Sequence, residues 1–370
     1  MNKNLKEVAK VFFKLGCIAF GGPAAHIAMM EEEIVKKRKW MSEQHFLDLI
    51  GATNLIPGPN STEMTMHCGY ERAGWKGVFV AGGLFIFPAV LITLLISYLY
   101  VKYGQLPEVA PFIYGIKPAV IAIILSALYR LGKKALKNKE LYILGIITLI
   151  VTLCGVHEIL ALLGCGMLGI LWHYTKNFNS VTKSLIPFFI LKASNPLFSA
   201  AAIKIFLTFL KVGAILCGSG YVLFAFLDAE LVATGLLSRP ELMDAIAVGQ
   251  ITPGPVLSTA TFIGYQLGGF SGAIMATLGI FLPSFIFVTI LNPLVPKLRK
   301  HALLSAFLDA VNVAAVAVIL AVCIDMGLES ITDWKTALIA VISISLVFGY
   351  KKLNSVWIVL GGSILGYFLH

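Results

Sequence analysis

From Gly77 to Val101 the chain runs without one charged side chain. A helix of about 25 residues crosses the roughly 30 Å hydrocarbon core of a bilayer. Further apolar segments fall near residues 10–28, 47–70, 108–130, 140–153 and 158–174, and again near 204–226, 243–265, 270–292, 304–325, 332–348 and 354–369. Charged or Pro/Gly-rich breaks separate them. Charged residues make up 13% of the 370, about half the share of a soluble domain. The pattern predicts an all-α integral membrane protein of about 10–12 hydrophobic segments, multi-pass in the cell membrane. Lys3, Lys6, Lys10 and Lys14 are spread through the first run without a small-residue cleavage site, so no removed signal peptide is expected.

The net charge of +10 could suggest nucleic acid, but the basic residues cluster beside apolar segments. That placement fits loops meeting anionic cytoplasmic lipid, and no nucleic-acid partner is expected. Cys17, Cys68, Cys154, Cys165, Cys217 and Cys323 lie mostly inside apolar segments without CxxC spacing, so they read as packing residues with no metal and no disulfide.

Two proline-rich stretches expose a duplication. Asn54-Leu-Ile-Pro57-Gly58-Pro59 matches Gln250-Ile-Thr-Pro253-Gly254-Pro255, and Asp48 falls on Asp244 at the same offset. With slips of a residue, Lys14 and Gly16 fall on Lys211 and Gly213, and Gly69-Tyr70, Gly74, Gly77 and Pro88 on Gly264-Tyr265, Gly269, Gly272 and Pro283. This divides the chain into a first repeat at 1–180, a linker at 181–200 and a second repeat at 201–370.

Loop charge sets the relative orientation of the halves, because short Lys/Arg-rich loops stay cytoplasmic. In the first half Lys36 to Lys39 and Arg130 to Lys139 are basic and the loop near Gly104 is not; in the second half the counterpart of that poor loop carries Lys297, Arg299 and Lys300. The counterparts of the basic loops carry Asp228, Glu230 and Glu241, and Asp325, Glu329 and Asp333. The bias has changed sides, which predicts an inverted repeat. Three apolar segments separate the two basic loops of the first half, and only an even number of crossings keeps both cytoplasmic. The Pro-Gly-Pro segment is therefore expected to be re-entrant, or broken at mid-membrane, lining a cavity.

Candidate site residues follow from these breaks. Gly21-Gly22-Pro23 and Pro57-Gly58-Pro59-Asn60-Ser61-Thr62 suit helix starts at depth, where free N–H groups and the dipole's positive end favour an anion; a packing kink is the plainer alternative. Gly218, Pro253, Gly254 and Pro255 are the second-half equivalents. Lys14 and Lys211 could bracket an anion or reach to lipid headgroups. Lys117, about nine residues into its segment, is too deep to do so readily, and its counterpart is Asn312. Glu63 and His67 share a helix face and form a candidate proton relay or a plain hydrogen-bonded pair. His26 is a substrate or proton group, or an interface residue.

No GxxxxGK[ST], HExxH, GxSxG or Cys/His metal pattern occurs, so neither enzyme nor ATP-driven pump is expected, and no cofactor. Phe13-Lys-Leu-Gly16 leading to Phe20-Gly-Gly-Pro23 and His26, then Asn54 to Pro59, then Gly74-Trp-Lys-Gly77 running to Pro88, resembles the chromate ion transporter family. A weaker second copy has Lys211-Val-Gly213, Gly218-Ser-Gly220, Gln250 to Pro255 and Gly268 to Gly272. Two halves in one chain resemble the family's long-chain members. The resemblance implies a secondary transporter that moves chromate, with sulfate as its look-alike, usually by efflux. An oxyanion channel, or a carrier of another anion, is the alternative. The second half has Ser219-Gly220 in place of the Gly-Gly-Pro proline and Thr259 at the position of Glu63. A homodimer is an open option, with close-packing faces at Gly82-Gly83 and Gly268-Gly269.

Overall fold

The computed structural model describes residues 3–20, 22–53, 58–104, 106–176, 200–216, 220–291, 302–350 and 353–369. Apart from Ala200, the linker expected at 181–200 lies outside the described residues, as do the candidates Gly21, Pro57 and Gly218. Helix α1 (Lys3–Ile18) is followed by α2 (Pro23–Met30), which continues as a π-helical stretch (Glu31–Lys37). Then come α3 (Glu43–Thr53), α4 (Asn60–Tyr103), α5 (Ala110–Ala135), α6 (Lys139–Leu153) and α7 (Glu158–Lys176). The second series is α8 (Ala200–Ile215), α9 (Val222–Leu227) with its π-helical continuation (Asp228–Val232), α10 (Arg239–Ile251), a 3-10 turn (Val256–Ser258) and α11 (Thr259–Leu291). It closes with α12 (Ala302–Ser330), α13 (Trp334–Gly349) and α14 (Ser355–Leu369).

Among the described residues every regular element is helical, and four helical stretches are long and apolar enough to cross a membrane: Asn60–Tyr103, Ala110–Ala135, Val256–Ile290 and Ser305–Ser330. Leu95, Ile146, Leu171 and Leu278 stand exposed on helix faces, where lipid is their solvent. The protein is an all-α, multi-pass membrane protein.

The chain folds back on itself at several breaks. Within α4 the helix breaks at Ala73 (φ −142°) and Gly74 (φ +61°), and the backbones of Gly69 and Gly77 touch across the turn. Within α11 the same break occurs at Gly268 (φ −155°) and Gly269 (φ +59°), with Gly264 against Gly272. The left-handed residue is glycine both times, as a side chain there would be strained. Further upstream, His45 at the start of α3 lies 3.3 Å from Glu71 near the end of the first arm of α4. A continuous helix would hold them about 40 Å apart. Helix α3 and that arm are therefore two sides of a hairpin with Gly58-Pro59 at its tip.

The run at 10–28 is likewise a hairpin. Lys14 meets Glu33 at 3.6 Å and Arg38 meets Glu7 at 3.2 Å, which lays α1 beside α2 and its continuation with the Gly22 break at the tip. In the second half Lys211 meets Glu230 at 2.6 Å and closes α8 on α9 in the same way.

Small residues let these hairpins seat on the long helices. A Cβ on Gly16 would stand 2.7 Å from the Phe85 carbonyl oxygen, and one on Gly213 would collide with the Ile280 carbonyl oxygen. Between the halves, Phe79 stacks on Phe285 with ring centroids 5.7 Å apart, and Tyr100 meets Phe262 edge-on at 5.1 Å. Gly213→Ala is expected to force α8 off α11 and lower the melting temperature in detergent by several degrees, the effect of about 1–3 kcal/mol of overpacking. Gly83→Ala, where a methyl group meets open space, is the control and should melt as the parent does.

Candidate functional site

Described residues from four hairpins meet at one place. The amide of Gly254 donates to the carbonyl of Ala19 at 2.8 Å, and the amide of Gly58 donates to the carbonyl of Leu216. Each Pro-Gly-Pro tip is thus closed by the end of the first helix of the opposite half. Gly22 (φ +82°) comes up to Tyr221, whose hydroxyl would stand 3.1 Å from an added Cβ. His26 ties the remaining pair together: its Nδ1 lies 3.2 Å from Ser61 Oγ and its Nε2 3.0 Å from the Ala19 carbonyl. A carbonyl only accepts, so Nε2 carries a hydrogen.

Helix starts surround this junction. Pro23 opens α2, Pro59 caps α4, Tyr221 caps α9 and Pro255 caps the 3-10 turn, all without a side-chain capping bond. Proline suits the first position because its missing N–H would have been orphaned there. Three α-helix or 3-10 starts and the short α9 present the positive ends of their dipoles to the tips, an arrangement that favours an anion without a buried cation. Pro59 and Pro255 thus stand at the starts of helical segments.

Beneath the first tip lies an acid. Glu63 is fully buried, and neither carboxyl oxygen has a hydrogen-bond partner. Its Oε1 and the Ser284 hydroxyl of α11 occupy the space a Cβ on Gly58 would need. The Thr62, Ser258 and Ser284 hydroxyls are also buried without partners. An ionised carboxylate left bare in such a place costs several kcal/mol, which a neutral acid avoids.

Other expectations are corrected by geometry. No hydrogen bond joins Glu63 to His67 although both are buried on one helix, because the carboxyl group turns back toward Gly58. Lys14 and Lys211 do not stand free to bracket an anion: each is about half exposed and held by the glutamate on the second arm of its own hairpin. Lys117 does face a cavity, of about 540 Å³, at the Gly104 end of the molecule. Asn60, Ser61, Thr62, Pro253 and Gly254 all lie at the tips. Sequence reasoning missed Ser284 and Tyr221, which lack any motif, and Arg130, which it read as a loop charge although it reaches Tyr221 together with Gln250.

The model of the family described as chromate transporter matches twice, at residues 6–170 and 203–367. The chain belongs to the chromate transporter family. A chromate transport protein of Cupriavidus metallidurans is 31% identical over 98% of this chain and 92% of its own length. A probable chromate transport protein of Synechococcus elongatus is 32% identical over 92% and 89%. An uncharacterised transporter of Bacillus subtilis, 24% identical, covers 43% of this chain with 91% of itself. No solved structure matches the chain. Membership makes the protein a membrane transporter and not an enzyme.

Glu63→Gln keeps the shape and removes the option of a charge. It is expected to leave the melting temperature in detergent within about 3 °C of the parent; a fall of about 10 °C would mean that an ionised carboxylate holds the tips.

Proposed function

We propose that the chain is a secondary carrier of chromate, and of sulfate as its tetrahedral look-alike, and that it works by alternating access between two inverted halves. The observation that carries this reading is the reciprocal pair of tip bonds, Gly58 to Leu216 and Gly254 to Ala19. Equivalent contacts exchanged both ways are what a pseudo-two-fold relation between residues 1–180 and 201–370 requires. The switched charge bias of the loops supports an axis lying in the membrane plane, which makes the Pro-Gly-Pro hairpins re-entrant. The oxyanion would bind at the junction of the tips, against the helix starts and their hydroxyls, with Arg130 and Lys117 as the cations nearest the path.

Efflux suits a dianion, since a negative-inside potential favours its exit by about 2.3 kcal/mol per charge per 100 mV. Uptake would need a coupled ion, and Glu63 is the group placed to carry one proton. Thr259 stands at its position in the second half, so the second tip has no matching acid.

Radiolabelled chromate and sulfate flux in proteoliposomes, under an imposed pH gradient or potential, tests this reading. Saturable flux that an excess of either ion suppresses is the expected result. A current linear in substrate concentration would show a channel instead, and no flux would remove the substrate class. Glu63→Gln should keep chromate exchange and weaken the response to the pH gradient, while Lys14→Ala with Lys211→Ala should retain flux. Topology has its own check in a cysteine-free background: Lys37→Cys and Lys134→Cys should label from the cytoplasm only, Glu329→Cys from outside only.

A further inference from the structure

The cavity at the Gly104 end is built from both halves. Tyr100, Tyr114 and Lys117 come from α4 and α5, Ser238, Glu241 and Asp244 from the start of α10, and Glu329 and Thr336 from α12 and α13. At about 30 Å³ per water, its volume of about 540 Å³ holds an oxyanion with part of its hydration shell. Three carboxylates and one ammonium line it, so as it stands the cavity repels a dianion.

Two of the three carboxylates are committed elsewhere. Glu241 accepts from the Ser238 amide at 2.8 Å and from its hydroxyl at 2.6 Å, in a capping box that starts α10. Glu329 accepts from Arg239 at 2.6 Å, and Arg239 also holds Asp228 at 3.0 Å and approaches Asp325 at 3.9 Å. At the rim, the Thr336 amide and the Tyr114 hydroxyl hold Asp333 ionised, with its pKa pushed down to about 2, so it stays charged throughout the working range. Asp244 differs. It is 6% exposed, its Oδ2 accepts from the Tyr100 hydroxyl at 2.6 Å, and its Oδ1 has no partner. Lys117 is the cation within electrostatic reach of it.

We propose that this cavity is an oxyanion vestibule in which Lys117 takes the anion only when Asp244 carries a proton, so that anion and proton occupy it together. The inference rests on the carrier reading above and adds a second proton locus to it, apart from Glu63. Ionised Asp244 is the one of the three carboxylates left without a salt-bridged cation or a cap to offset it, and it opposes an anion at Lys117 across the same cavity. A proton on the open Oδ1 removes that negative charge from the cavity while Tyr100 still holds Oδ2. Linkage makes the effect reciprocal: if the proton strengthens anion binding, the anion must strengthen proton binding equally.

The test is equilibrium binding of radiolabelled chromate to the purified full chain at pH 6 and pH 8, with proton uptake on binding measured alongside. With sulfate run beside chromate, because sulfate keeps its protonation state across this range, the wild type should bind about tenfold more weakly at pH 8, a typical coupling between linked sites. D244N should bind at pH 8 as tightly as at pH 6 and lose the associated proton uptake. Lys117→Gln should bind weakly at both pH values, and Lys117→Arg should restore binding. A wild-type pH profile in D244N, or wild-type affinity in Lys117→Gln, overturns the inference alone. Should D244N fail to fold, the lysine variants decide it. Absence of chromate binding by the wild type at either pH overturns the carrier reading itself.

Discussion

A broken helix exposes backbone amides and carbonyls that an apolar surrounding cannot satisfy, and the hairpin tips of this molecule are arranged around that demand. Each unsatisfied group costs several kcal/mol in hydrocarbon. At Gly58 and Gly254 the demand is met from outside the local chain, by the carbonyl that ends the first helix of the other half. The long helices α4 and α11, the glycines that let α1 and α8 lie close against them, and the aromatic contacts between the halves all hold the tips at that distance. A polar junction is thereby sealed without filling it with charge.

Between the two regions that match the family model the chemistry is lopsided. Glu63 faces Ser284 across the interface, whereas the matching place in the other direction has Ala89 against Gly254. His26 ties Ala19 to Ser61 in the first half alone, and Lys117 has Asn312 as its counterpart. The fold provides helix starts twice over; the titratable and cationic groups come mainly from the first half. Asp244 is the exception, a second-half acid set beside a first-half lysine.

Much of this was legible in the sequence because its causes are local. Apolar length announced the spans, and Pro-Gly-Pro announced helix starts, since proline and glycine act through their own backbones. Parity of the basic loops pointed to a segment that turns back, and the contact of His45 with Glu71 shows a hairpin in that segment. Other features escaped for a shared reason. The hairpin in 10–28 depends on Lys14 meeting Glu33 and Arg38 meeting Glu7, and no local pattern records those distances. Lys14 looked like a buried cation because its segment is apolar, yet its partner sits on the returning arm. Ser284 and Tyr221 carry no motif and matter only through what folds against them.

The exchange of tip bonds also bears on how such a protein can be divided. Cut between residues 176 and 200, the chain would yield two pieces, each with one tip amide lacking its acceptor, Gly58 in the first and Gly254 in the second. Each piece would be the specific complement of the other's defect. Carrying both on one polypeptide fixes their ratio at one to one, and lets the two copies drift apart in sequence without either losing its partner.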